Sequence, residues 1–253
     1  MLIDELLIYL FDGKPHLLAA QMGTWLASSR RFTAFVNAFH NKIRKKLRAT
    51  QEMESLLDLQ LELETAYLLL QERSLSLVYE PQLGGKARGP DFAVSFTTSL
   101  LFMVEVTRLR MGQDGTRDPA QAALPNDVAK RSPDEERLTD MVCSKLGQLM
   151  PRRINILLAC VEASGLTQET LRAAMLRLQQ RAERNDPAVL QGHGFRDRAD
   201  FFHHYGRLSE LLVRGPNLPE GGPVIGWINP QGKYPLPNKV RTVLYRSLAL
   251  AVE

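Results

Sequence analysis

Apolar positions in the first fifty residues keep helical spacing. Between residues 17 and 47, Trp25, Leu26, Phe32, Phe35, Val36, Phe39 and Ile43 recur at three- and four-residue steps, with a polar break at Ser28 and Ser29. A second helix is predicted over 53–71, where Leu56, Leu59, Leu63, Ala66 and Leu70 form one stripe. The period then changes. Three strands are predicted at 76–80, 91–97 and 100–107, the last almost continuously apolar and therefore central, covered on both faces. Residues 110–131 carry glycines, prolines and charges without a period and read as a long loop. Ser132, Pro133 and Glu135 then make a helix-start pattern, and the helix should run to about 149. A buried strand at 154–161, a helix at 168–184, edge strands near 211–213 and 224–228 and a terminal helix at 240–250 complete the reading, with a Gly- and Pro-dense stretch at 193–237.

Composition narrows the classes. With 253 residues, 44% hydrophobic and 24% charged, the chain can bury one substantial core. We expect a single folded unit with a helical extension over 1–52, a core over 53–165 and an α/β extension over 166–253. The net charge of +4 suits a polyanionic partner without requiring one. No apolar run reaches the roughly eighteen residues that span a bilayer, and the N-terminus lacks a secretory pattern, so no membrane association and a cytoplasmic setting are expected. Cys143 and Cys160 form no CxxC pair and read as buried thiols. There is no Walker-type loop, GxGxxG or GxSxG; Gly84-Gly85-Lys86 reads as a turn, and the five histidines have no metal-ligand spacing.

One residue breaks the apolar pattern where a break is costly. Glu105 interrupts the central run LLFMVEV, where an ionised carboxylate loses hydration at several kcal/mol unless paired or coordinated. Asp91, at the start of the preceding strand, can face it across a hairpin. Two carboxylates and a backbone carbonyl, that of Val106, would form the oxygen-rich shell that magnesium prefers.

Gly89-Pro90-Asp91, followed after thirteen residues by Glu105-Val106-Thr107, in the order helix, three strands, helix, strand, resembles the signature of the PD-(D/E)XK nuclease superfamily. The resemblance covers less than half the chain. It implies an α/β fold with a restriction-endonuclease-like mixed β-sheet core flanked by helices. It also implies a Mg or Mn cofactor held by Asp91, Glu105 and Val106, and hydrolysis of phosphodiester bonds in DNA. Glu62 matches the helical glutamate by which many members extend the metal shell, with Glu64 as the alternate on another side of the helix. The departure is Thr107, where members usually carry lysine. Lys145 shares a helical face with Leu138, Met141, Val142 and Leu149; some members have moved their lysine to this helix, and Gln148 resembles a glutamine found beside it.

The candidate catalytic set is therefore Asp91, Glu105, Lys145 and Glu62, with Lys86, Arg88, Arg108, Gln148 and Lys45 as substrate contacts. DNA is the expected partner, and a homodimer is compatible with it. Plainer readings exist for each residue. Asp91 after Gly-Pro suits a turn, Glu105 suits an ion pair with Arg108 or Arg110, Glu62 suits a solvated helix face, and Lys145 can lay its methylenes on the core with its ammonium in water. The basic run Lys42, Arg44, Lys45, Lys46 and Arg48 is ordinarily a solvated face; on a nucleic-acid-binding core it and Arg30-Arg31 become phosphate contacts. The rival function is a catalytically degenerate scaffold of the same class that binds nucleic acid or a protein partner without cleaving, which Thr107 favours.

Overall fold

The computed structural model describes residues 2–50, 52–82, 89–109, 133–161, 166–215 and 224–250. The loop expected over 110–131, the helix-start residue Ser132, the Gly84–Lys86 turn and the substrate candidates Lys86 and Arg88 lie outside these residues.

Four helices come first: α1 (Ile3–Phe11), α2 (Ala19–Ser28), α3 (Arg30–Ala49) and α4 (Met53–Gln71). The expected break falls where Ser29 caps α3, its hydroxyl accepting the Phe32 amide. Strands β1 (Leu75–Tyr79), β2 (Phe92–Phe96) and β3 (Leu100–Arg108) follow as an antiparallel meander. Next come α5 (Pro133–Leu146), β4 (Ile154–Cys160), α6 (Gln168–Glu183), the single turn α7 (Pro187–Leu190), α8 (Arg198–Tyr205), β5 (Glu210–Arg214), β6 (Val224–Ile228) and α9 (Asn238–Leu248). The six strands form one mixed sheet in the order β1-β2-β3-β4-β5-β6. β4 lies parallel to both β3 and β5, and β6 pairs antiparallel with β5. Helix α5 ends sooner than 149, and α8 was hidden in the Gly- and Pro-dense stretch although Asp197 caps it by accepting the Asp200 amide.

Alternation along each strand sorts the core into two layers. Phe102, Val104, Val106, Ile156, Leu158 and Leu212 face α1–α4 and α9, whereas Leu157, Ala159, Leu211, Val213 and Trp227 face α5–α8. The crossovers β3-α5-β4 and β4-α6-α8-β5 advance the same way along the sheet, so a common hand puts both sets of helices on one face. That second layer is centred on β4–β6. Over β2 and β3, Ala93 and Met103 pack with Met150 in a separate small cluster, and Glu105 points to this same face.

Two polar fastenings set the frame around that region. Arg31 on α3 donates to the carbonyls of Leu70 (2.7 Å), Glu72 (2.5 Å) and Leu75, closing the C-terminus of α4 and an outward-facing carbonyl of edge strand β1. Asn155, 1% exposed at the start of β4, accepts the Met150 amide (3.0 Å). Its own amide donates to the carbonyls of Met150 (2.9 Å), Arg153 (2.9 Å) and Arg207 (3.0 Å). The end of α5 is thereby tied to the sheet, which fixes what α5 can reach. Replacing Asn155 by Ala strands these buried partners, and we expect a loss of about 2–4 kcal/mol in urea unfolding; a loss near zero would show that the tie does not carry α5.

Candidate metal centre

The Phe92↔Val104 pair, continued one step, sets Asp91 directly opposite Glu105, and one step further sets Pro90 opposite Val106. The Glu80 amide donates to the Asp91 carbonyl (2.7 Å), so the backbone of Asp91 is turned toward β1 and not β3. Asp91 and Glu105 thus form a non-hydrogen-bonded cross-strand pair, the closer of the two antiparallel pairings, with both side chains on one face. The residues beside Asp91 shape the end of this pairing. Proline has no N–H to offer the Val106 carbonyl, and the Val106 amide donates to Asp91 Oδ2 (2.8 Å). Close approach of the chain is also needed here, since a Cβ on Gly89 would lie 2.9 Å from the Pro81 carbonyl.

Glu105 is 3% exposed. Lys145, projecting from the last turn of α5, donates to its Oε1 at 2.8 Å and lies 3.4 Å from Gln148 Oε1. The other oxygen, Glu105 Oε2, is buried without a hydrogen-bond partner among the described residues, which is the costly half of a buried carboxylate. On the opposite side of the sheet, Glu62 from α4 is fully engaged. Lys46 of α3 donates to Oε1 (3.0 Å) and Oε2 (2.7 Å), and the Tyr79 hydroxyl donates to Oε2 (2.6 Å). Lys46 also pairs with Glu80 (2.7 Å).

Electrostatics bind these groups into one site. Burial pushes the Asp91 carboxyl well above the usual aspartate range. The charges of Glu105 and then Glu62 push it further, against the Val106 amide and Lys46. Burial likewise works against the charge on Lys46, yet Glu62 and Glu80 outweigh it and its pKa rises. Burial and Glu62 together hold the Tyr79 phenol neutral. Four carboxylates, Asp91, Glu105, Glu62 and the more exposed Glu80, therefore share two ammoniums, Lys145 and Lys46, and a proton on Asp91 meets part of the surplus negative charge.

Among the described residues no group of three or more His, Cys, Asp or Glu side chains is arranged to hold a metal ion by itself. The donors that fit one are the Asp91 carboxylate, the unpartnered Glu105 Oε2 and the Val106 carbonyl opposite Pro90, an all-oxygen set of the kind hard divalent cations take.

The remaining candidates separate. Gln148 stays beside Lys145. Glu64 pairs with Arg214 (2.6 Å), away from Glu62. Arg108 is held by Glu54 and by Asp58 (3.2 Å) across to α4, not by Glu105. Of the basic run, Arg44 and Arg48 pair with Asp12, Lys42 donates to the Tyr79 and Glu80 carbonyls, Lys46 enters the centre, and Lys45 is exposed. Arg31 is spent on its carbonyls, and Arg30 is exposed. His203 contacts Arg207 (2.7 Å) and His204 contacts Asp200 (3.6 Å), but the two rings meet edge to face with centroids 5.5 Å apart, so the adjacent histidines do not point apart as the helical spacing suggested. Sequence reasoning missed Lys46 and Tyr79. Lys46 follows the buried Ile43 by three residues, and Tyr79 shares the alternation of buried Leu75; those phases were the available signals.

Comparison with protein-family models, curated proteins and solved structures finds no match for this chain. Among the described residues no helix is long and apolar enough to cross a membrane.

The raised Asp91 pKa makes a signed prediction about stability. Below the ordinary aspartate pKa both folded and unfolded chains hold the proton. As pH climbs from there through the higher native value the unfolded chain releases its proton first, so metal-free stability falls. Asp91→Asn, which keeps an acceptor for the Val106 amide, should raise the melting temperature in EDTA at pH 8, by roughly 2–4 °C for each kcal/mol relieved. The gain should vanish below about pH 4. A variant less stable than wild type at pH 8 would contradict the assigned burial.

Proposed function

We propose that the protein is a Mg2+- or Mn2+-dependent nuclease that hydrolyses phosphodiester bonds in DNA, with residues 53–165 as a restriction-endonuclease-like core. One observation carries this reading: the Lys145 ammonium reaches Glu105 from α5, supplying the charge that Thr107 lacks, while Asp91 lies opposite on the neighbouring strand. The order α4, β1–β3, α5, β4, with β4 parallel to β3, supports it independently of those letters.

Asp91, Glu105 and the Val106 carbonyl would hold the cation, which when bound offsets charge on the scissile phosphate and lowers the pKa of an attacking water. The chain's own residues do the rest. Lys145 orients Glu105 and, released from part of that duty, offers an ammonium to the charge that develops on the phosphate oxygens. Gln148, 3.4 Å from Lys145, steadies the ammonium between the two tasks. Glu62, gripped by Lys46 and Tyr79, adds negative potential that raises the affinity of Asp91 for positive charge. Lys45 and Arg30, both exposed on α3, remain available to backbone phosphates.

A second reading has its own support. The Lys145–Glu105 ion pair already meets much of the charge on Glu105 without a metal, which suits a scaffold that binds DNA or a protein partner without cleaving it.

Plasmid and oligonucleotide cleavage with Mn2+ or Mg2+ separates the two. Wild type should cut only with a divalent ion. Asp91→Asn and Glu105→Gln should abolish cutting with circular dichroism unchanged, and Lys145→Ala should lower the rate by ~10²–10³-fold. Cutting that persists in both carboxylate variants removes the assigned site. Wild type that never cuts, yet binds DNA with steep salt dependence, gives the second reading the field.

A further inference from the structure

Three loops meet at the end of the sheet where β4 and β5 begin: the turn between α5 and β4, the link from α8 to β5, and the segment that follows β6. Buried side chains fasten them together. The Asn155 amide that holds the Arg153 carbonyl also holds that of Arg207. Ser209 donates to the Tyr234 carbonyl (2.6 Å), and the Lys233 amide donates to the Gly206 carbonyl (2.9 Å). This frame presents Arg152, Arg153, Arg207 and Lys233. Arg207 reaches the Leu149 carbonyl (3.5 Å) and His203 (2.7 Å), and among the described residues none of the four cations meets a carboxylate. Elsewhere Arg108, Arg214, Arg241 and Arg246 each hold an acid. Arg152 also stands at φ 57°, a left-handed position that glycine fills more cheaply, so the backbone gains nothing from an arginine there.

The patch adjoins the open part of the sheet. Continuing the β3–β4 register sets Arg153 opposite Leu101, and Leu101, Met103 and Glu105 follow one another on one face. On that face Val78 (48%) and Leu101 (36%) are exposed, because the second layer is centred on β4–β6. From Leu101 to Glu105 the strand advances about 13 Å, roughly four base steps along one strand of a duplex. His203 senses the local field: Arg207 first, then burial, His204 and Lys233 make it less basic, while Asp200, which opposes them, is held by Arg196. Guanidinium forks match phosphate oxygens better than any other side chain.

We propose that Arg152, Arg153, Arg207 and Lys233 form a phosphate-binding surface that holds the backbone of the DNA substrate and leads it over the open face of β1–β3 to Asp91 and Glu105. The choice of DNA as the polyanion rests on the nuclease reading above, whereas the charge and its frame stand without it.

Fluorescence anisotropy with a short labelled duplex in EDTA, across a KCl series, reads binding apart from cleavage. Wild-type affinity should fall log-linearly with salt. Arg153→Ala and Lys233→Ala should each weaken binding and reduce the salt slope by about 1. Arg152→Ala with Arg153→Ala should reduce it by about 2 and raise Kd at least ~10-fold. Arg152→Gly should weaken binding without lowering the melting temperature, which separates loss of charge from damage to the turn. Lys14→Ala with Arg172→Ala, which removes the same charge from exposed positions elsewhere, should have a much smaller effect. With Mn2+ present, the Arg152→Ala, Arg153→Ala double variant should cut slowly at low DNA concentration and at the wild-type rate at saturation. Unchanged affinity in that double variant, equal losses in the control pair, or a wild type that binds anionic phospholipid vesicles and not DNA would overturn the proposal even if metal-dependent cleavage stands. Binding that depends on Arg152 and Arg153 in a protein that never cuts would uphold it and overturn the nuclease reading instead.

Discussion

Two carboxylates of like charge held side by side on a largely apolar sheet are the constraint around which this molecule is organised. Directly opposed acids on neighbouring strands repel, and the repulsion grows as water is withdrawn. Asp91 and Glu105 stand in that relation. The fold answers from both sides: α5 brings Lys145 to one face, and α3 brings Lys46 to Glu62 behind the other. Each ammonium compensates part of the charge, and neither reaches Glu105 Oε2. The site is left with more negative than positive charge and with one carboxylate oxygen unpartnered among the described residues.

The architecture makes that arrangement reachable. A meander ending in β3 places Asp91 and Glu105 opposite each other with few intervening residues, and the parallel step to β4 requires a crossover helix on one face. That helix is α5, and its far end is tied down by Asn155. The second layer concentrates its apolar cluster over β4–β6, so the Glu105 side of β3 meets a lysine where it would otherwise meet leucine. Position in the sheet, not any property of lysine alone, makes Lys145 a candidate for chemistry.

Positive charge in a sequence proves a poor guide to free positive surface. The run from Lys42 to Arg48 looks like a phosphate-binding face, but Arg44 and Arg48 are taken by Asp12, and Lys42 by carbonyls at the end of β1. Each partner lies more than thirty residues away in the chain. Linear reading sees like charges in a row and cannot see the acid that a helical hairpin folds against them.

Features legible in the sequence are those that depend on neighbours within a few positions. The period of α4, the alternation of β2, the apolar run of β3 and the anomaly of Glu105 inside it are local, because burial of a helix face or strand face repeats over short intervals. Asp91 was legible through its Gly-Pro setting and its distance from Glu105, and Lys145 through its phase on α5. Long-range packing settled the rest: that Lys145 meets Glu105 forty residues away, that Lys46 and Tyr79 share Glu62, that Arg108 turns to α4, and that β4 and β5 extend the sheet in one direction. These contacts join residues whose spacing carries no period. They depend on which faces two packed layers bring together, a choice made by the burial of the whole core.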